Sequence, residues 1–277
     1  MTAAGRVGAG RQPLRVRMAH VEWVAERLST RDQAILASVE RLRLVSGAQL
    51  ERLHFHELSS PSRARTRRRV LARLAAWRVL LSLERRIGGV RAGSSGLVFT
   101  LDTTGLRLAQ LAAHLRGTAS ARRPAEPSAA LLRHTLAVTE LYVSLAELSR
   151  TGGFQLSDYQ TEPSCWHPTG YGGWLKPDAY LTLSTNQFDD YWWIEADQGT
   201  EHLPTIRRKL SVYLDHLNTG GSGPGGITPR VLVMVPAEAR RSAIAEVIRH
   251  LPEPTGKLLH VVTEDHAPKY LLQALRE

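Results

Sequence analysis

Two acid-bearing segments lie a short turn apart in this chain: Lys176-Pro177-Asp178-Ala179-Tyr180, then Tyr191-Trp192-Trp193-Ile194-Glu195-Ala196-Asp197-Gln198. Both have the aromatic and branched content of strands. Side chains alternate along a strand, so Glu195 and Asp197 leave one face while Ile194 and Ala196 leave the other. If the two strands pair, Asp178 comes alongside. Carboxylates gathered in one place repel one another unless a hard cation sits among their oxygens, and such a cation activates water against a phosphodiester. Asp178 and Glu195 are therefore expected to hold Mg2+ or Mn2+ if the site is catalytic, and no cofactor otherwise, with Asp197 assisting.

The distribution of charge makes DNA the substrate to consider. The formal net charge is +10, yet residues 1–115 carry 20 Lys and Arg against 8 Asp and Glu, while the remainder carries 16 against 18. A module that grips phosphates with cations, joined to one that carries carboxylates, has this asymmetry. Biased codon usage would explain the arginine total but not its segregation.

With 277 residues and 43% hydrophobic content, the chain is long enough for two modest domains. Cys165 is the single cysteine, which leaves no internal disulfide or cysteine zinc cluster and points to a reducing compartment. No apolar run approaches the length of a bilayer span, and the basic opening residues lead into no hydrophobic stretch. A cytoplasmic protein with no membrane contact is expected, and residues 1–28 read as a disordered basic tail.

From Ser29 the pattern turns helical. Ser29 or Thr30 caps a helix with Ile35, Leu36, Val39 and Leu42 at helical spacing, and Ser46 precedes a second helix with Leu50 and Leu53 inward. A third helix opens with Arg63, Arg65, Arg67, Arg68, Arg69 and Arg73 and continues into Val70, Leu71, Leu74, Trp77 and Leu80. A helix with a cationic start and a buried end has the build of a recognition helix. Residues 81–86 and 96–101 then read as two strands around a basic, glycine-rich tip, which adds Arg85, Arg86 and Arg91 to the expected DNA contacts. Three helices and a basic hairpin make a winged helix over residues 29–115; the bland alternative is a small helical bundle with solvated arginines.

Residues 116–128 have linker composition. Ala129 to Arg150 reads as a long amphipathic helix in which Glu140 flanks the apolar stripe, either as a fourth catalytic acid or as an exposed edge residue. Beyond it the order is three strands, helix, strand, helix, strand, to residue 277. The expected architecture is α/β, α+β taken as a whole: an N-terminal winged helix-turn-helix followed, over 129–277, by a restriction-endonuclease-like domain with a mixed central sheet flanked by helices.

Four segments carry a resemblance to a known family. His134-Thr135-Leu136-Ala137-Val138-Thr139-Glu140-Leu141-Tyr142, Lys176-Pro177-Asp178-Ala179-Tyr180, Glu195-Ala196-Asp197-Gln198-Gly199-Thr200-Glu201 and Lys209-Leu210-Ser211-Val212-Tyr213 are similar to the replication-relaxation proteins of actinobacterial plasmids and integrative elements. The resemblance implies a role in replication, transfer or DNA relaxation on a mobile element. The second half also resembles the PD-(D/E)xK nuclease superfamily: Pro177-Asp178 matches its first strand motif, Glu195 its second-strand acid and Glu140 its helical glutamate. It departs where that superfamily has a lysine two residues after the second acid, because Asp197 stands there. Lys209, with Tyr213 four residues later on the same helical face, is the candidate replacement.

No His-Glu-x-x-His spacing is present, and the cluster at residues 220–226 lacks the Lys-Ser or Lys-Thr of a phosphate-binding NTPase loop. Among the tyrosines, core or edge packing is the expected role rather than nucleophilic attack. Two functions stay open: metal-assisted nicking or cleavage of duplex DNA through Asp178, Glu195, Asp197, Lys209 and Glu140, or a non-catalytic replication initiator or regulator whose nuclease-like domain serves dimerisation or partner docking. Double-stranded DNA is the expected partner in both, with a homodimer, or replication or transfer proteins of the same element, as further partners.

Overall fold

A computed structural model describes residues 16–86, 96–116, 127–170 and 172–276. It is a mixed α/β structure with ten α-helices and a mixed five-stranded sheet among the described residues.

The first part comprises α1 (Met18–Ala25), α2 (Thr30–Leu42), β1 (Val45–Ser46), α3 (Gly47–His54), α4 (Ser60–Ala76), β2 (Leu80–Arg86), β3 (Leu97–Leu101) and α5 (Thr103–Arg116). Two caps set the helix starts. The Ser29 hydroxyl accepts from the Asp32 N–H while Asp32 accepts from the Ser29 N–H, and Ser46 and Gln49 do the same for α3. The strands form an antiparallel sheet in the order β1-β3-β2. Arg78, at a φ of 58°, turns the chain from α4 into β2, so Leu80 opens the strand rather than continuing the expected helix. At Gly105, α5 passes so close to this turn that a Cβ would lie 2.2 Å from the Val79 carbonyl oxygen, which only glycine allows.

The expected tail through residue 28 needs correction. Its last part folds as α1, which buries Val21 and Val24 and sets Trp23 edge-on to Trp77 at 5.4 Å. Two valines are too short a stripe to reveal a helix by periodicity; α1 is held by tertiary contacts with Trp77 and α5. The expected wing tip at 87–95 and most of the expected linker lie outside the described residues.

The second part runs α6 (Ala129–Ser149), β4 (Gln155–Thr161), β5 (His167–Pro168), β6 (Trp174–Leu175), β7 (Ala179–Ser184), β8 (Asp189–Ala196), α7 (Leu203–Asn218), β9 (Arg230–Val235), α8 (Glu238–Arg249), α9 (Thr255–Leu258), β10 (Leu259–Thr263) and α10 (Ala267–Ala274). The large sheet has the order β10-β9-β8-β7-β4. β4, β7 and β8 pair antiparallel, whereas β8, β9 and β10 pair parallel. Helices α7 and α8 cover one face over Tyr180, Trp193, Val231, Val233 and Val235. On the other face Leu181, Ile194, Leu232 and Met234 pack under α6 and α10.

The core under α6 does not stop at the sheet. It continues into Ile35, Val39, Leu50, Leu71 and Leu74 of the first part, and a smaller cluster joins Leu44 and Val98 to Leu132 and Leu136. Polar contacts reinforce the junction: the Thr139 hydroxyl donates to the Leu44 carbonyl at 2.9 Å and the Thr161 hydroxyl to the Arg41 carbonyl at 2.6 Å.

Candidate functional site

The acid strands pair as expected, Ala179 opposite Ile194 and Tyr180 opposite Trp193. Asp178 lies just before β7, with its N–H bonded to the Ile194 carbonyl at 2.9 Å, and Asp197 lies just after β8, with its N–H on the Met234 carbonyl at 2.9 Å. Strand alternation turns Trp193 and Glu195 toward α7. That helix buries Ile206, Leu210, Tyr213 and Leu214, a spacing of four, seven and eight residues, which brings Lys209 to the edge of the same face.

Glu195, only 3% exposed, is held from both sides. The Tyr213 hydroxyl donates to its Oε1, and the Lys209 ammonium pairs with its Oε2. Asp178 is held likewise: its Oδ2 accepts the Ala196 N–H at 2.8 Å, and its Oδ1 lies 3.2 Å from His134 Nε2 on α6. The other ring nitrogen, Nδ1, lies 3.0 Å from the Ala196 carbonyl oxygen. With Asp178 ionised both partners of this imidazole accept, an arrangement that favours a proton on each ring nitrogen. Asp178, Glu195, Lys209 and His134 thus form a compact group of two acids and two cations. His134, Glu195, Asp197, Glu201 and Lys209 line a cleft of about 320 Å³.

Proton affinities follow from this packing. Burial, then the charge of Asp178, pushes the Glu195 carboxyl up to about 7. Asp178 moves the other way: burial acts to raise it, but the His134 hydrogen bond and the Lys209 charge outweigh that and hold it below the usual carboxylate range. The bond to Asp178 raises His134. Lys209 is raised as well, since Glu195 and Asp178 outweigh a burial that would lower it.

The other expected acids lie elsewhere. Asp197 shares the face of Glu195 but is engaged by Arg240 of α8 in a two-point contact at 2.6 and 3.1 Å. Glu140 faces the first part of the chain, accepting from Gln49 at 2.9 Å and pairing with Arg52, which also pairs with Glu147. It is not part of the group around Glu195. Among the described residues no three His, Cys, Asp or Glu side chains come together in a metal-holding arrangement. The carboxylate oxygens of Asp178 and Glu195 each adjoin a protein group, although Glu195 Oε2 makes no hydrogen bond and has only its ion pair with Lys209. In this arrangement the residues do not fit Mg2+ or Mn2+.

The arginines of α4 divide by helical face. Arg63 donates to the carbonyls of His56 and Leu58 at 3.0 and 2.9 Å, Arg67 pairs with Glu51, and Arg73 grips both oxygens of Asp32 at 2.7 and 2.6 Å. Arg65, Arg68 and Arg69 are exposed. Arg85 and Arg86 end β2, and Arg91 falls outside the described residues. Tyr159, Tyr180 and Tyr213 are buried, with hydroxyls bonded to the Val138 carbonyl, Thr182 and Glu195.

His134 and Arg240 have no place among the site residues expected from the sequence. Neither belongs to a local pattern around the acids; each arrives from a distant helix, and only the fold reveals the contact. Comparison with family models finds a match to the replication-relaxation model over residues 36–231. Comparison with curated proteins and with solved structures finds no match.

Proposed function

The chain belongs to the replication-relaxation family, and from that premise we propose that it is a DNA-binding protein of plasmid replication or transfer. It grips duplex DNA through a winged helix made of α2, α3, α4 and the β2–β3 hairpin, while the rear, restriction-endonuclease-like sheet serves as a non-hydrolytic module. The bearer would be a mobile element of the kind found in actinobacteria. Family membership suggests the replication or transfer setting. Three helices followed by an antiparallel hairpin, with β1 completing a small sheet, support the winged helix. The mixed sheet between helical layers supports the rear assignment.

The observation that carries DNA binding is the division of the α4 arginines. Arg63, Arg67 and Arg73 are spent on intramolecular contacts, whereas Arg65, Arg68 and Arg69 sit three and four residues apart on one exposed face. A duplex offers that face phosphates and guanine edges. Replacing all three with Ala should weaken duplex binding and flatten its salt dependence by roughly 0.9 in the log-log slope for each phosphate that is no longer neutralised. Fluorescence anisotropy with a labelled duplex at several salt concentrations measures both, and unchanged affinity and slope would refute the assignment.

A second reading, metal-assisted hydrolysis at Asp178 and Glu195, draws on the position of Lys209, which brings to the acids the cation missing from their own strand. Nicking of supercoiled plasmid in Mn2+ separates the two. Activity in the wild type that is lost in Asp178→Ala supports hydrolysis; equal traces in both, or none, leaves the non-hydrolytic module.

A further inference from the structure

We infer that Lys209 and His134 take the place of a divalent cation, making the acid group of the rear sheet a metal-free lock that ties α6 and α7 to the ends of β7 and β8. The inference rests on the non-hydrolytic reading above.

Two carboxylates buried side by side need compensation, and an ion is only one way to supply it. Here the compensation is internal. Lys209 reaches Glu195 from α7, and His134 reaches Asp178 from α6 while its second N–H holds the Ala196 carbonyl. With Glu195 ionised, two negative charges meet two positive ones, and the remaining oxygens take the Tyr213 hydroxyl and the Ala196 N–H. Asp197, the next acid along, is neutralised by Arg240. A divalent ion entering this group would meet no net negative charge and would have to displace an ammonium already in contact with Glu195.

The contacts join four separate stretches of chain: α6, the residue before β7, the end of β8, and α7. Because α6 also carries Glu140 and Glu147, which pair with Arg52 of α3, the lock lies at one end of a helix whose other contacts reach the arginine-bearing part.

The test is Mn2+ binding to the full chain, followed by the decline of the free-ion signal in electron paramagnetic resonance. The wild type should show no saturable site. Lys209→Met, which keeps the bulk and removes the ammonium, should gain one, and Asp178→Asn added to Lys209→Met should abolish it. Saturable binding to the wild type that disappears in Asp178→Asn overturns the inference, as does a folded Lys209→Met that gains no site. Should Lys209→Met fail to fold by circular dichroism, Lys209→Gln takes its place, and the wild-type titration still decides by itself. Mn2+ held by the wild type without plasmid nicking sinks this inference alone; Mn2+ held with nicking sinks the non-hydrolytic reading as well.

Discussion

At the scale of single residues, His134 is the group whose chemistry is most exposed to test. Its raised proton affinity means that the folded protein holds the proton more tightly than the unfolded chain. The associated stability is fully present below the unfolded value of about 6.5 and is lost as pH rises through the folded value. Asp178, depressed in the fold, behaves oppositely, contributing above its unfolded value and losing that as pH falls through the folded one. The pair is therefore at full strength in mildly acidic solution. His134→Ala should lower the melting temperature more at pH 5.5 than at pH 8.5, and thermal melts of wild type and variant at both values check it; a penalty that grows with pH would contradict the imidazolium. The acids themselves were legible in the sequence, because a two-residue period sends Glu195 and Asp197 to one face whatever surrounds them. Of their partners, Lys209 and Tyr213 were legible as neighbours on one helical face, whereas His134 and Arg240 were not. His134 lies 61 residues before Glu195 in the chain and Arg240 43 residues after Asp197, and only tertiary packing decides which distant cation arrives.

At the scale of elements, α4 shows what a run of arginines conceals. Six were expected to meet DNA, yet a helix separates its faces every few residues, and Arg67 is carried inward to Glu51 with its side chain only 8% exposed. Arg67→Ala should cost about 2 kcal/mol, as expected for a charge-assisted contact broken in a mostly buried site. Arg68→Ala should leave stability within about 0.5 kcal/mol and weaken DNA binding instead. Denaturant titration and anisotropy on the two variants separate these effects, and a stable Arg67→Ala with weakened binding would return that residue to the face proposed to meet DNA. Helices with strong local signals were legible: Ser29 and Ser46 stand where α2 and α3 begin, and each cap has its partner three residues on. Ser29→Ala should cost roughly 1 kcal/mol, measurable in the same titrations. α1 escaped because its apolar face is two valines wide. α10, no longer than α3, lacks the side-chain cap that marked that helix, and the two-residue strands β5 and β6 are too short for any period to show.

At the scale of the whole molecule, the charge asymmetry suggested two modules, and hydrophobic contacts join them more closely than a linker would. Residues of α2, α3 and α4 share one continuous core with α6 and the large sheet, and Leu132 and Leu136 of α6 pack on Leu44 and Val98. Composition could not reveal this, because a helix that buries one stripe against a sheet and another against a neighbouring unit reads simply as amphipathic. The ion pairs across the junction add little, since Arg52, Glu140 and Glu147 are each about a third or more exposed. The shared apolar core therefore carries the coupling, and thermal unfolding should be a single transition whose calorimetric and van't Hoff enthalpies agree. Leu136→Ala, which truncates a buried side chain in the smaller cluster, should cost about 2–5 kcal/mol. If the halves are coupled as the packing requires, the variant should move far-ultraviolet dichroism and tryptophan fluorescence together, because Trp77 lies in the first part and Trp192 and Trp193 in the second. Two separated transitions in the wild type, or a variant that melts one half alone, would mean that the interface is too weak to transmit a change at the arginine-bearing helices to the acid group behind them.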